Sequence, residues 1–302
     1  MLNIQPLKAV IDLGTNTFHL LIVSGEVGGA DYREVYRERQ FVKLAEDGIE
    51  QIGAVPFGRG LAALIHFAQV LRDNGLQPAA ARAIGTAALR TAANGPEFVE
   101  RAAAEAGINV ELISGDEEAR LITLGVRRAV PFGSERVLLM DIGGGSVEFI
   151  IADDKEVFWA RSFPIGVSVL YRDFHQTEPI APAEVERLTE FLTTVLVPLR
   201  EQLASHPAHH LIGAAGTFDV IAEVMGTERL TPHAGNVNLS GFLEFHEQLV
   251  ASDRTQRYAI PAVPAERADM IVVASILIRV VLELAGIRRL TVSDYSLKEG
   301  VL

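Results

Sequence analysis

Asp141, Gly143, Gly144, Gly145, Ser146 and Glu148 lie together between two apolar runs, Val137-Leu138-Leu139-Met140 and Phe149-Ile150-Ile151. Consecutive glycines let main-chain N–H groups approach a ligand closely, which suits phosphate oxygens. Two carboxylates flanking that turn can hold a divalent cation or a water. Taken alone the stretch is also a tight hairpin with incidental acids. The start of the chain repeats the plan: Asp12 leads into Gly14, Thr15, Asn16 and Thr17, and His19 stands as far beyond Asp12 as Glu148 beyond Asp141.

Three further groups carry candidate chemistry. Ser114-x-x-Glu117 reads as a capping box, which assigns Glu117 to the helix start. Glu118 has no capping duty, and the helix dipole favours its ionised form. Near a phosphate site it is a base for an attacking water, and otherwise part of a solvated helix face. Gly85-Thr86 and Gly216-Thr217 each follow a short strand. Arg90, about a turn beyond Thr86 among alanines and leucine, suits a charge-assisted phosphate contact, or is an ordinary surface arginine. His19 is either a core histidine or turned, like Glu148, toward the ligand. His209 and His210 read as surface or edge residues.

Elements in order position these groups. Strands are expected at 8–12, 17–24 and 34–44, the last after a Gly28-Gly29 turn. Helical spacing covers 56–74. A strand at 81–84, helices at 87–91 and 96–106, a strand at 110–113 and a helix through 130 complete the first half. Strands at 136–141, 147–152 and 157–163 open the second. A helix at 182–203 with a kink or an early end at Pro198, a strand at 210–213 that runs through Gly216-Thr217 into a helix, helices near 242–250 and 266–285, a strand at 289–292 and a final helical turn complete it. The order repeats, and Asp12/Asp141, Gly85-Thr86/Gly216-Thr217 and Ile113-Ser114/Val292-Ser293 align the copies. The fold class is α/β: two duplicated lobes, 1–124 and 125–302, with a cleft between them.

The net charge of −12 argues against nucleic acid or a membrane surface as partner, and the absence of cysteine excludes disulfides and thiolate metal sites. The most apolar segment, 270–284, is shorter than a bilayer span and contains Arg279. The first residues show no signal-peptide pattern, so a cytoplasmic protein is expected. Gly-x-x-x-x-Gly-Lys-[Ser/Thr] does not occur, which disfavours a P-loop NTPase.

Six segments, in this order, resemble the exopolyphosphatase / guanosine pentaphosphate phosphatase (Ppx/GppA) family. They are Ala9-Val-Ile-Asp-Leu-Gly-Thr-Asn-Thr-Phe-His-Leu-Leu, Gly85-Thr-Ala-Ala-Leu-Arg90, Ile113-Ser-Gly-Asp-Glu-Glu-Ala-Arg-Leu121, Asp141-Ile-Gly-Gly-Gly-Ser-Val-Glu148, Gly213-Ala-Ala-Gly-Thr217 and Val292-Ser-Asp-Tyr-Ser-Leu-Lys-Glu-Gly300. The resemblance implies two ribonuclease-H-like domains of the actin/hexokinase/sugar-kinase superfamily. It implies Glu118 as general base, Asp141 and Glu148 as holders of Mg²⁺ or Mn²⁺, the two loops as phosphate-binding and Arg90 as a phosphate contact. Gly216, Thr217, Asp12, His19 and Thr86 join the candidate set. Val147 stands for the usual threonine, and Ala87-Ala88 for a more polar pair. The implied substrate is inorganic polyphosphate, or the 5′ end of guanosine pentaphosphate. A phosphotransferase, or a non-catalytic sensor of guanosine tetraphosphate, is the alternative. Longer relatives continue past the position of Leu302 into a helical region that holds long polyphosphate and dimerises. Processive action on long chains is therefore not expected here, while a homodimer remains compatible.

Overall fold

The computed structural model describes residues 6–25 and 32–302. The expected Gly28-Gly29 turn and the opening residues of the chain lie outside the described residues. The chain divides into two compact units, residues 1–125 with 297–302, and residues 126–296.

The first unit holds β1 (Leu7–Leu13), β2 (Thr17–Ser24), β3 (Arg33–Phe41), β4 (Arg82–Gly85) and β5 (Val110–Leu112) in the sheet order β3-β2-β1-β4-β5. β1, β2 and β3 are antiparallel neighbours, and β4 and β5 run parallel to β1. Strand side chains alternate between faces. Ala9, Ile11, Leu13, Phe18, Leu20 and Ile22 therefore enter the core, while Asp12 and His19 share the other face as cross-strand partners. The helix Ala54–Asp73 packs Leu61, Leu64, Phe67 and Leu71 into the same core. By length and composition it is apolar enough to cross a bilayer, but half of that stretch is buried inside the unit, as in a core helix.

The second unit repeats the plan with β6 (Val137–Ile142), β7 (Val147–Ala152), β8 (Val157–Phe163), β9 (His210–Ala214) and β12 (Arg289–Ser293), in the order β8-β7-β6-β9-β12. A hairpin of β10 (Glu228–Thr231) and β11 (Ala234–Val237) extends the sheet beyond β12. Leu138, Met140, Ile142, Val147, Phe149 and Ile151 face the core, so Asp141 and Glu148 fall on the opposite face, again as direct partners. The duplicated 3-2-1-4-5 strand order is the ribonuclease-H-like arrangement.

Several features depart from the sequence expectation, among them the unforeseen helix Arg254–Tyr258 and the division of 266–285 into Ala265–Ala268 and Ile271–Ala285. The helix Val167–Phe174 and the β10–β11 hairpin were not foreseen. The span 182–203 is two helices, Pro182–Val195 and Val197–Ser205, so of the two readings of Pro198 the early end holds, its ring suiting a first turn better than an interior. The last helix, Leu297–Val301, packs on β1 and belongs with the first unit rather than with the rest of 125–302.

The registers also shift two of the three alignments between the copies. Asp12 pairs with Ile84 and Asp141 with Ala214, so Gly85 corresponds to Ala215 and Thr86 to Gly216. Ile84 pairs with Glu111, and Gly213 pairs with Val292. Carried forward, the partner of Ser114 is Ser296, not Ser293, and each of these two serines directly precedes a helix.

Candidate active site

In the second unit the glycine turn is built by the element the sequence did not reveal. The carbonyls of Gly143, Gly144 and Gly145 accept the amides of Val167, Ser168 and Gly166 respectively. In a trans peptide the C=O and the following N–H point in opposite directions. The amides of Gly144, Gly145 and Ser146 are therefore aimed away from that helix, all to one side, which is the form of an anion-binding nest. Gly143 serves differently, because its own N–H donates to the Ser146 carbonyl and closes the turn. Gly166 is required by packing: a Cβ there would lie 2.3 Å from the Gly144 carbonyl group.

Asp141 and Glu148 are 7% and 1% exposed. Oε1 of Glu148 accepts hydroxyl hydrogens from Ser146 and Ser162, both at 2.6 Å, and Oδ2 of Asp141 accepts from the Ser296 hydroxyl. The Ser146 side chain, expected on phosphate, is thus committed to Glu148, and its contribution to the nest is its amide. Gly216 and Thr217 open the helix Gly216–Met225 directly after β9, beside Asp141. The guanidinium of Arg267 lies over Gly216, at 1.8 Å from where a Cβ would stand. Before Gly216, Ala215 adopts φ 66° and ψ 178°, a conformation otherwise left to glycine.

The first unit repeats the turn. Gly14 N–H donates to the Thr17 carbonyl, and the carbonyls of Thr15 and Asn16 accept the amides of Leu44 and of Val42 and Lys43. By the same geometry the amides of Asn16 and Thr17 face the other way. Lys43 is held at φ 46°, uncommon for a residue with a side chain. Thr86 is buried, with its amide and hydroxyl directed at the Leu13 carbonyl. Asp12, His19 and Arg39 form one row across β1, β2 and β3, matching Asp141, Glu148 and Ser162 across β6, β7 and β8.

Glu118 begins the helix Gly115–Ala129 and is 6% exposed. Nη1 of Arg90 donates to its Oε2 at 3.1 Å and to the Ile113 carbonyl at 2.8 Å. In this structure Arg90 therefore directs the Glu118 carboxylate, a contact that sequence spacing did not reveal. The capping box is half formed. Ser114 Oγ accepts the Glu117 amide, but the Glu117 carboxylate pairs with both Nε and Nη2 of Arg120, which holds it below the ordinary carboxylate range.

Ser162, Gly166, Arg267, Ser296 and Lys43 escaped the sequence reading. Each comes from a segment separate in sequence from the glycine turn beside which it packs, and of the five only Ser296 lies in a segment quoted above. Its correspondence to Ser114 emerges only from the strand registers, because the alignment of the copies in sequence pairs Ser114 with Ser293. His210, read as an edge residue, is buried in β9 and bonds to Arg289 and Thr291.

Among the described residues no group of three or more His, Cys, Asp or Glu side chains gathers. Asp141 and Glu148 nevertheless suit a hard divalent cation. They are two adjacent oxygen donors beside an anion nest, and Mg²⁺ is ordinarily held by one or two carboxylates with waters and substrate phosphates completing its shell.

The Ppx/GppA phosphatase family model matches residues 22–302. The chain is similar to the exopolyphosphatase of Cytophaga hutchinsonii ATCC 33406, with 38% identity, a TM-score of 0.91, and 98% of this chain and 96% of that one covered. It is also similar to the Aquifex aeolicus PPX-GPPA enzyme, with 25% identity, a TM-score of 0.78, and 98% and 99% covered. The guanosine-5'-triphosphate,3'-diphosphate pyrophosphatase of Vibrio vulnificus (strain YJ016) is 30% identical over 300 residues, which is 98% of this chain and 59% of that relative. The chain thus spans little more than half the length of that curated relative. It belongs to the Ppx/GppA phosphatase family.

Proposed function

We propose that the chain hydrolyses a terminal phosphoanhydride, releasing orthophosphate from inorganic polyphosphate or from the 5′ end of guanosine pentaphosphate. The observation that carries this reading is the nest of three same-facing amides at Gly144, Gly145 and Ser146 beside the buried pair Asp141 and Glu148. Such a device binds and neutralises phosphate oxygens. Polyphosphate is the preferred substrate, supported by 38% identity to a protein named an exopolyphosphatase over nearly all of that chain.

In this mechanism the carboxylate of Glu118 takes a proton from a water, whose oxygen bonds to the terminal phosphorus. The bridging P–O bond breaks in line, and its oxygen leaves with the shortened chain. Arg90 keeps the Glu118 carboxylate aimed. In the second unit the amides of Gly144, Gly145 and Ser146, with Arg267 and the first turn at Gly216 and Thr217, are the groups that bind phosphate oxygens, and in the first unit the amides of Asn16 and Thr17 are their counterparts. Asp141 and Glu148 would hold Mg²⁺ or Mn²⁺, which when bound supplies positive charge to the phosphates.

The test is phosphate release from polyphosphate, guanosine pentaphosphate and ATP in parallel. Wild type is expected to act on polyphosphate, and Glu118→Gln to lose at least about 100-fold in kcat with binding retained. Transfer of phosphate to an added sugar or ADP instead of water would replace the reading with a phosphotransferase. Saturable binding of guanosine tetraphosphate with no release from any anhydride would replace it with a sensor.

A further inference from the structure

Asp141 and Glu148 are direct cross-strand partners on one face of the sheet, and both are buried. Like charges so placed repel, and burial strengthens the repulsion. Hydroxyl donors offset this without adding charge. Two such donors lie far from the glycine motif in sequence: Ser162, in β8, and Ser296, after β12.

We propose that Ser162 and Ser296 are positioning residues that set the two carboxylates for a divalent cation. Ser146 and Ser162 approach Oε1 of Glu148 from the loop and from the neighbouring strand, so that this oxygen is engaged from two sides and the carboxylate plane is fixed. Ser296 is delivered by a built turn. The Ser293 hydroxyl donates to the Tyr295 carbonyl and accepts the Tyr295 amide. The Asp294 amide donates to His233, and the Tyr295 and His233 rings stack at 4.2 Å.

The duplication separates this role from ordinary structure. The equivalent serine of the first unit, Ser114, accepts the amide of Glu117 and so caps its helix. The row equivalent to Asp141, Glu148 and Ser162 carries Asp12, His19 and Arg39. Where the sheet face bears two carboxylates, both equivalent positions hold a hydroxyl donor. Where it bears one carboxylate and a histidine, the strand position is an arginine and the serine serves the backbone.

This inference rests on the reading of Asp141 and Glu148 as the cation site. The experiment measures phosphate release from polyphosphate against Mg²⁺ concentration for wild type, Ser162→Ala, Ser296→Ala and the two Ser→Thr variants. Mn²⁺ binding is measured in parallel, without substrate, from the electron paramagnetic resonance signal of the free ion. Each alanine variant is expected to raise the Mg²⁺ half-saturation and to weaken Mn²⁺ about 10-fold. At saturating Mg²⁺ the KM for polyphosphate should stay within about twofold of wild type, and threonine should restore metal affinity by returning the hydroxyl. Alanine variants with wild-type metal affinities would overturn the proposal. So would an even loss of activity at every Mg²⁺ concentration accompanied by a lower Tm, which is the mark of a merely structural role. A wild type that releases no phosphate from any substrate would defeat the hydrolase reading alone, and the Mn²⁺ measurement would still decide this one.

Discussion

One nitrogen of Arg90 bonds at once to a main-chain carbonyl and to the Glu118 carboxylate. The carbonyl belongs to Ile113, just after β5, so the guanidinium ties the Glu118 carboxylate to the sheet. Arg90→Ala should lower kcat for phosphate release by roughly 100-fold while moving KM less, because the carboxylate loses its fixed direction. Arg90→Lys should recover part of that loss, since a single ammonium can donate to both acceptors, though from a shorter and more flexible stem. Steady-state kinetics on polyphosphate check both. Glu118 was legible in sequence because a capping box leaves its second acid unassigned. The partner of Arg90 was not, because the contact joins a helix after β4 to a helix after β5 and only the parallel sheet brings them together.

At the scale of elements, two positions in and after β9 make opposite statements about strain and burial. Ala215 holds a backbone conformation that costs about 1–3 kcal/mol for a residue with a Cβ. Ala215→Gly should stabilise the protein by about 1 kcal/mol, net of the extra freedom glycine gains when unfolded, as a higher urea midpoint at unchanged m-value. His210 lies in a polar ladder across three strands. Arg289 donates to Nδ1, Nε2 donates to Thr291, and Thr291 donates to Asn236. Burial, and secondarily the Arg289 charge, lower its pKa from 6.5 to about 4. The unfolded chain therefore binds the proton first, so this stability is intact above pH 6.5 and is lost as pH falls toward 4. The loss is on the order of 2 kcal/mol, discounted for solvent screening. Urea midpoints across that window should fall for wild type more steeply than for His210→Gln. Strands with alternating or continuous apolar runs, and helices with 3.6 spacing, were readable in the sequence. The β10–β11 hairpin was not, because Glu228, Arg229 and Leu230 are all exposed and leave no period to detect. The helix Val167–Phe174 buries only Val167 and Leu170, too few to mark a face.

At the scale of the molecule, the chain begins the first unit, builds the second, and ends in the first. Gly300 shows how closely that end fits: an added Cβ would stand 1.8 Å from the Leu121 carbonyl oxygen, on the helix that carries Glu118. Gly300→Ala should therefore cost about 2–3 kcal/mol or more, read as a drop in Tm, with activity falling through the displaced helix. The overall plan was legible because the copies share a strand order and an Asp-turn-acceptor motif. The return of the chain end was not, since Glu299, fully buried and paired with Arg37 and Lys298, reads in sequence as a surface acid in a terminal turn.

That return to the first unit bears on how the protein is made. A ribosome releases residues 1–125 long before it reaches Leu297–Leu302, so the nascent first lobe waits with β1 and the Leu121 turn uncovered while the second lobe is synthesised. Folding of the half that carries Glu118 is thus completed only after the second lobe has been made. Deleting residues 297–302 would remove a seal from the first lobe.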